Sequence, residues 1–137
     1  MNKDLQKLIL SRYPELYRHQ DGYPLAQFGL QIPDGWFDLV NQLSADIMAY
    51  VKRTGIPTPI VLGIKEKFAM LRVWIDQTND DLDKMIEQAV SRSNSICEEC
   101  GAEGTLYERN RRWLHVFCEK HANGCVAVTS AATAPIE

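Results

Sequence analysis

The sequence predicts an α+β fold in which helices pack on a small antiparallel β-hairpin sheet, followed by a compact unit that contains the cysteines. Three patterns indicate this fold: apolar residues that recur every three or four positions, two β-prone runs on either side of a charged triplet, and cysteines confined to the C-terminal third. We expect residues 1–95 to form the α+β core, residues 96–126 to pack on it, and residues 127–137 to be a mobile tail.

The first predicted helix is the segment KDLQKLILSRY, which Pro14 ends or bends. One face of this helix is expected to carry Leu5, Leu8, Ile9 and Arg12. The connection that follows, PELYRHQDGYPLAQFGLQIPDG, combines glycines and prolines with several aromatic side chains. We therefore interpret it as a packed irregular connection rather than a solvated linker.

The second predicted helix lies in DGWFDLVNQLSADIMAYVKRTG, where apolar residues recur at four- and three-residue steps. Asp34 is the expected N-cap, and Gly55 is the expected stop. Such a stripe predicts a surface that faces the core; a surface for a partner, including a second copy of the chain, is the alternative. The stripe consists of Trp36, Val40, Leu43, Ile47 and Val51.

The third predicted helix is TNDDLDKMIEQAVSRSNS, capped by Thr78 or Asn79. Asp80, Asp81 and Asp83 lie in its first turn, where a carboxylate interacts favourably with the helix dipole. We prefer this interpretation to a carboxylate metal cluster, because hard cations need oxygen ligands from several segments. The apolar face of the helix consists of Leu82, Met85, Ile86, Ala89 and Val90.

Between these two helices, PIVLGIKEKFAMLRVWID predicts a β-hairpin with its turn near Glu66. Successive residues of a strand point to opposite faces of the sheet. On the second arm, one face is therefore expected to carry Ala69, Leu71, Val73 and Ile75, and the other Met70, Arg72 and Trp74.

Composition and charge limit the class of protein. The chain has 137 residues and is 45% hydrophobic, which fits one globular domain. Its net charge is −3 and no third of it is basic, which argues against a broad surface for duplex nucleic acid. We find neither a secretory signal nor a run apolar enough to span a membrane. We therefore expect a cytoplasmic protein with reduced thiols, which disfavours disulfides.

Two short pairs of residues suggest a metal site. Cys97 and Cys100 form C-x2-C, and Cys118 and His121 form C-x2-H, with 17 residues between the pairs. Such pairs, brought together across a loop, are typical of zinc sites with four nitrogen and sulfur ligands. Gly101 favours the tight turn that lets the first pair point at one ion. We predict that these four residues bind zinc as a structural cofactor.

The residues between the pairs predict a second hairpin, with arms TLYE and WLHVF and a polar RNR turn. A knuckle, a hairpin and ligands at the start of a short helix together form a treble-clef-like zinc finger. The ligand set remains open at one position, because Cys125 would complete a four-thiolate site in place of His121. His115 is a further, less suitable candidate, since it lies on a strand.

Other roles for the cysteines are less favoured. A redox C-x-x-C normally adjoins a βαβ pattern, and none is visible here. A catalytic zinc site needs an open coordination position near an acid or base, but we expect Glu98, Glu99 and Glu119 to be solvated. A nuclease of the histidine–asparagine–histidine type would use His115 as its base, and a lone strand histidine is more often structural. We therefore predict no enzymatic activity.

The turn of the second hairpin is the predicted partner-binding surface, because arginine and aromatic residues dominate the energetics of protein interfaces. The same residue types contact phosphates and stack on bases. Lys65, Lys67 and Arg72 of the first hairpin are a possible extension of this surface. The predicted partner-binding residues are Tyr107, Arg109, Arg111, Arg112 and Trp113.

Four stretches, GWFDLVNQL, IKEKFAMLRVWI, ICEECGAEG and WLHVFCEKHA, together resemble a group of small uncharacterised proteins of bacteriophages, prophages and bacteria. That group has a Gly-Trp helix start, a KEKFG-LR hairpin and a C-terminal C-x2-C-G…W…C-x2-H zinc unit. The resemblance covers roughly residues 35–122. Ala69 stands where the group has glycine. The resemblance implies zinc binding and a phage or mobile-element setting, and it implies no activity.

We therefore expect a zinc-stabilised accessory protein of phage type that binds a host or phage protein and inhibits a host enzyme or defence component. A nucleic-acid-binding zinc-finger module is the alternative. We expect no membrane association, and a homodimer is compatible with the sequence.

Overall fold

The structure is a computed structural model that describes residues 1–110 and 112–128. Within them the fold is α+β, with four α-helices and two small antiparallel sheets, of strand order β1-β2 and β4-β3-β5. The helices are α1 (Lys3–Arg12), α2 (Pro24–Phe28), α3 (Phe37–Thr54) and α4 (Asp80–Ser93). The strands are β1 (Val61–Lys67), β2 (Met70–Ile75), β3 (Thr105–Arg109), β4 (Trp113–Phe117) and β5 (Val126–Ala127).

Helix α1 begins at a side-chain cap and ends just before a proline, as the sequence predicts. The Asn2 side chain accepts a hydrogen bond from the Leu5 N–H at 2.8 Å. Ile9 is fully buried, but Leu8 is 43% exposed. Of the four residues on the predicted face, only Ile9 is buried; Leu5 is half-buried and Arg12 is exposed.

The connection after α1 is packed, as predicted, and it also contains the short helix α2. Leu16, Tyr17, Leu30 and Ile32 are buried in the main core. Helix α2 begins at Pro24, where the missing N–H costs no intrahelical bond. The connection thus contributes to the core on both sides of α2.

The apolar stripe predicted for α3 faces the core of this chain. Its members Trp36, Val40, Leu43 and Ile47 are buried. Asp34 does not cap α3, contrary to the sequence prediction. A 3-10 turn, Asp34–Trp36, precedes the helix, and the Asp34 carboxylate accepts hydrogen bonds from the Asn2 N–H at 2.7 Å and from Asn2 Nδ2 at 3.2 Å. The helix ends at Gly55, whose φ of 74° is left-handed, as expected of a C-terminal glycine.

The first hairpin turns at Phe68 and Ala69, two residues after the predicted position. Both residues have positive φ, 52° and 63°, which a two-residue type I′ turn requires. The alternation of faces is as predicted: Leu71 is fully buried, whereas Trp74 on the opposite face is 46% exposed. The buried face packs against the helices and completes the core.

Helix α4 packs against α3 and β2. Asn79 is its cap and accepts from the Leu82 N–H at 2.9 Å. The Ser93 hydroxyl at its end accepts from the Leu71 N–H of β2 at 3.1 Å. In the described part of the chain, no helix has the length and apolar character that a membrane span requires.

Candidate metal centre

The first pair of candidate ligands lies in a tight turn after α4. The Gly101 N–H donates to the Cys97 carbonyl at 2.9 Å, and the Cys97 N–H donates to the Ala102 carbonyl at 2.7 Å. Gly101 has φ of 80°, which glycine adopts without strain. The turn therefore directs Cys97 and Cys100 to the same side.

The second pair follows β4 and meets the first through the second hairpin. Cys118 is the residue after β4, and His121 ends a 3-10 turn in which its N–H donates to the Cys118 carbonyl at 3.1 Å. The Glu98 N–H of the first turn donates to the Val116 carbonyl of β4 at 2.8 Å. This backbone bond places the two pairs side by side.

The three thiols of Cys97, Cys100 and Cys118 converge on the imidazole of His121. All four donor atoms lie within 4.8 Å of one another. The Sγ atoms of Cys100 and Cys118 are 3.8 Å apart, and His121 Nδ1 is 3.7 Å from Cys97 Sγ and 3.1 Å from Cys118 Sγ. Four ligands around one tetrahedral zinc ion would have sulfur atoms about 3.8 Å apart. The geometry is therefore compatible with a metal site.

Backbone amides stabilise the charged form of the most buried thiol. Burial raises the pKa of Cys97, but the N–H groups of Cys118, Cys100 and Glu99 outweigh it and lower the pKa to about 7. The Ala102 N–H lowers the pKa of Cys100, but desolvation and the thiols of Cys97 and Cys118 raise it above its usual value. A cation held between the thiolates would remove this mutual repulsion.

Neither alternative ligand belongs to the convergent group. Cys125 Sγ lies 3.8 Å from the Asn123 carbonyl. His115 Nδ1 lies 3.1 Å from Glu98 Oε1, and its ring stacks on that of Phe117 with centroids 5.1 Å apart. The structure therefore places His115 in a contact with a carboxylate and an aromatic ring.

Glu98 is buried, contrary to the expectation that it is solvated. Burial raises the pKa of its carboxyl group, whereas the Val116 N–H and His115 lower it. The Val116 N–H donates to Glu98 Oε2 at 2.7 Å. Together with its own backbone N–H, Glu98 therefore joins the cysteine turn to β4 by three polar contacts.

The glycine and tryptophan before α3 anchor the cysteine turn on the core. The Gly35 N–H donates to the Glu98 carbonyl at 2.8 Å, and a Cβ at Gly35 would lie 2.1 Å from the Cys97 carbonyl oxygen. The fully buried Trp36 donates its indole N–H to the Ile96 carbonyl at 3.0 Å. Any side chain at Gly35 would therefore displace the cysteine turn from the core.

Most of the predicted partner-binding residues are accessible on the second hairpin. Trp113 is 64% exposed, Arg109 and Arg112 are exposed, and Tyr107 is half-buried. The Arg109 guanidinium lies 5.9 Å from the centroid of the Phe117 ring. Arg111 lies outside the described residues.

The sequence interpretation missed Phe68, at the turn of the first hairpin. This side chain is 64% exposed, and Lys67 Nζ lies 5.5 Å from the centroid of its ring. Phe68 lines the same cavity of about 270 Å³ as Arg112 and Trp113. The sequence contained one signal for this residue: a phenylalanine close to a predicted hairpin turn is expected to be exposed.

The predicted mobile tail, 127–137, begins inside β5, which pairs with β3. The Val128 N–H donates to the Leu106 carbonyl at 3.0 Å. Residues 129–137 lie outside the described residues.

Comparisons of this chain with models of protein families, with curated proteins and with solved structures found no match. Its class is therefore defined by the α+β fold and by a site of its own residues. That site consists of three cysteines and one histidine in an arrangement compatible with metal binding.

Proposed function

We propose that the chain is a zinc-stabilised binding protein, in which Cys97, Cys100, Cys118 and His121 hold one structural zinc ion. The observation that carries this proposal is the convergence of the four donor atoms within 4.8 Å. Three thiolates and an imidazole are ligands that zinc prefers, and four protein ligands leave no position open for a substrate. A structural role for the ion follows, which supports a function in binding rather than catalysis.

The zinc unit of this proposal is treble-clef-like, with a cysteine turn, a hairpin and a final short 3-10 turn. Zinc would join the segment after β4, which contains Cys118 and His121, to the cysteine turn before β3, and Gly35 and Trp36 bond this turn to the core. A structural metal supplies stability that the small apolar contact of this hairpin does not. The ion thus holds the hairpin tip in a fixed position on the core.

The second hairpin, fixed in this way, lies beside the turn of the first. Together they form what we call the two-hairpin surface, which consists of Lys67 and Phe68 of the first hairpin and Arg112 and Trp113 of the second. Two aromatic side chains, each 64% exposed, line this surface together, and aromatic residues are a residue type that anchors protein interfaces. Glu66 also lines the cavity, and its Oε2 accepts from the Ala69 N–H at 2.8 Å. The two cations beside the rings outnumber this carboxylate and favour an acidic partner. We propose that this partner is a host or phage protein.

The resemblance to phage and prophage proteins supports a role as an accessory protein that inhibits a host enzyme or defence component. Blocking such a target requires a fixed, exposed surface and no catalytic group. The two-hairpin surface meets this requirement with residues from two separate segments of the chain.

A nucleic-acid-binding module is the second candidate function. The observation that favours it is the same pairing of exposed rings with cations, because single-stranded nucleic acids stack on aromatic side chains and bind basic groups through phosphate. The acidic net charge of −3 disfavours it relative to a protein partner.

Metal analysis of the purified full chain tests the zinc site. We expect one equivalent of zinc per chain, and less than about half an equivalent in the Cys97→Ser variant. The matched control is Cys125→Ser, which should retain the full equivalent because Cys125 lies outside the group. Substoichiometric zinc with four titratable thiols in the unmodified protein would contradict the proposal.

The binding role is tested by affinity capture from a bacterial host lysate. A specific partner should be recovered with the unmodified chain, lost with an Arg112→Ala/Trp113→Ala variant, and retained with Leu8→Ala, whose change lies at an exposed position of α1. Recovery of the same proteins by all three chains would contradict the role of this surface in binding.

The nucleic-acid alternative predicts anisotropy changes with labelled oligothymidylate that fall steeply between about 50 and 200 mM salt.

A further inference from the structure

A second surface, separate from the metal centre, lies on the outer face of the first hairpin. Helix α2 and strand β2 form the two walls of a cavity of about 520 Å³, which we call the α2–β2 groove. This volume is in the range of ligand-binding clefts. The lining residues are Tyr23, Pro24, Phe28, Gln31, Leu62, Gly63, Lys65 and Trp74.

The walls of the groove consist largely of aromatic side chains that are partly exposed to solvent. Tyr23 is 42% exposed, Phe28 is 58% exposed and Trp74 is 46% exposed. Gly63 lets the two walls approach each other, because a Cβ there would lie 3.2 Å from Trp74 Cε3 and 3.3 Å from Pro24 Cβ. The groove therefore runs between aromatic rings, and Gly63 at its floor has no side chain to fill it.

Part of the β1 edge beside the groove already has hydrogen-bond partners. The Gln31 N–H donates to the Ile64 carbonyl at 3.1 Å, and the Glu66 N–H donates to the Gln31 carbonyl at 2.9 Å. This segment occupies the edge of β1 from Ile64 to Glu66, so a ligand cannot add as another strand along this part of the groove. Recognition beside Lys65 therefore uses side chains rather than a backbone ladder.

One charge lies at the groove, and it is positive. Lys65 Nζ lies 5.7 Å from the centroid of the Trp74 ring, and none of the lining residues is acidic. Among the described residues, the ion pairs involve only His19 with Asp21 and His115 with Glu98. The Lys65 ammonium is therefore available for a carboxylate of a ligand.

From these features we propose that the α2–β2 groove binds a proline-rich peptide segment in the polyproline II conformation, with an acidic residue placed to meet Lys65. Such a segment has no intrachain hydrogen bonds and presents pyrrolidine rings at low entropic cost, which suits a groove of aromatic walls. The Tyr23 hydroxyl and the Trp74 indole N–H are donors for its carbonyl groups. This inference does not depend on the metal site or on the two-hairpin surface.

The test uses the purified full chain and an array of proline-rich peptides that carry a single glutamate at each position in turn. The best-binding peptide is then titrated while the three tryptophan indole N–H signals are followed by NMR. We expect the Trp74 signal to move, and the signals of the buried Trp36 and of Trp113 on the two-hairpin surface to stay unchanged. No binding peptide, or a shift of Trp113 alone, would overturn the proposal.

Matched peptides and variants separate the two recognition elements. Replacing every proline by alanine should weaken binding at least tenfold, and so should Phe28→Ala or Trp74→Ala. Lys65→Glu should reverse the charge preference, so that a peptide with lysine in place of glutamate binds better than the original. Trp113→Ala should leave binding unchanged. Equal binding of the alanine-substituted peptide, or an unchanged charge preference in Lys65→Glu, would show that the groove does not recognise this ligand.

Discussion

The hairpin of β1 and β2 lies against helices, whereas the hairpin of β3 and β4 lies against a turn that carries two cysteines. In the first, Ile64 and Leu71 are almost completely buried in the main core. In the second, Val116 is buried beside the cysteine turn, but Trp113 at the other end is 64% exposed. Two hairpins of similar size are thus held in place by different interactions.

The difference shows how a short chain positions a surface that has little core beneath it. Burial of apolar area stabilises the first hairpin, and this contribution is present whenever the helices are folded. The second hairpin relies on Glu98 and, in our proposal, on zinc. Its stability is therefore expected to depend on conditions that leave the first hairpin unaffected.

Metal removal should have the largest effect and should distinguish the two hairpins most clearly. Zinc binding contributes about 10–16 kcal/mol to the folding of small zinc-finger peptides. We expect a strong chelator to expose the amides of β3 and β4 to rapid hydrogen exchange, while those of β1 and β2 stay protected. Equal protection of both hairpins after verified metal loss would contradict the proposed division of stability.

Trp36→Ala should be the most destabilising single substitution, because it affects both regions. Removing the fully buried indole leaves a cavity in the main core and removes the hydrogen bond to Ile96. We expect a loss of about 3–5 kcal/mol in the free energy of unfolding, measured by urea denaturation. Trp36→Phe, which keeps much of the apolar volume, should lose less. If both variants lose the same free energy of unfolding, the effect comes from the hydrogen bond alone and not from the cavity.

High pH should destabilise the core that supports the first hairpin. Burial raises the pKa of Tyr17 to about 12, while its hydrogen bond with Ser44 lowers it and Tyr13 raises it. Because the folded state holds this proton more tightly than the unfolded state, stability is intact below the usual tyrosine pKa of about 10 and is lost as pH rises towards 12. The expected loss is about 2–3 kcal/mol.

Urea denaturation at several pH values, with the Tyr17→Phe variant as control, isolates this contribution. The neighbouring Leu16 carbonyl accepts from the Val61 N–H at the start of β1, so loosening should reach that strand. A variant with the same pH profile as the unmodified chain would rule out Tyr17 as the cause.

Phe68→Asn should have the smallest effect on stability, and in the opposite direction. Phe68 has φ of 52°, a conformation that asparagine adopts more readily than phenylalanine. We expect the free energy of unfolding to rise by roughly 0.5–1 kcal/mol, while binding at the two-hairpin surface weakens. Thermal unfolding and partner capture check the two parts. Unchanged binding would remove Phe68 from that surface.

Local sequence patterns predicted the elements well where one short-range rule governs them. The stripe of α3, the alternating faces of β2 and the C-x2-C and C-x2-H pairs all follow from fixed periodicities or spacings. Predictions were less accurate at element ends, where Asp34 bonds to Asn2 instead of capping α3, and where the turn lies at Phe68 rather than at Glu66. The Asp34 contact joins residues 32 positions apart, so local patterns could not predict it.

The sequence by itself determined the order of the three longer helices and the two hairpins, and it limited the fourth metal ligand to His121, Cys125 or His115, because helical periodicity, strand alternation and ligand spacing are local properties. Only the tertiary structure decided that Glu98 is buried, that Gly35 supports the cysteine turn, and that Phe68 lies beside Trp113. It also decided that α2 and Trp74 form a groove. Each of these features joins segments distant in sequence, and their contacts depend on how the helices and hairpins pack around one core.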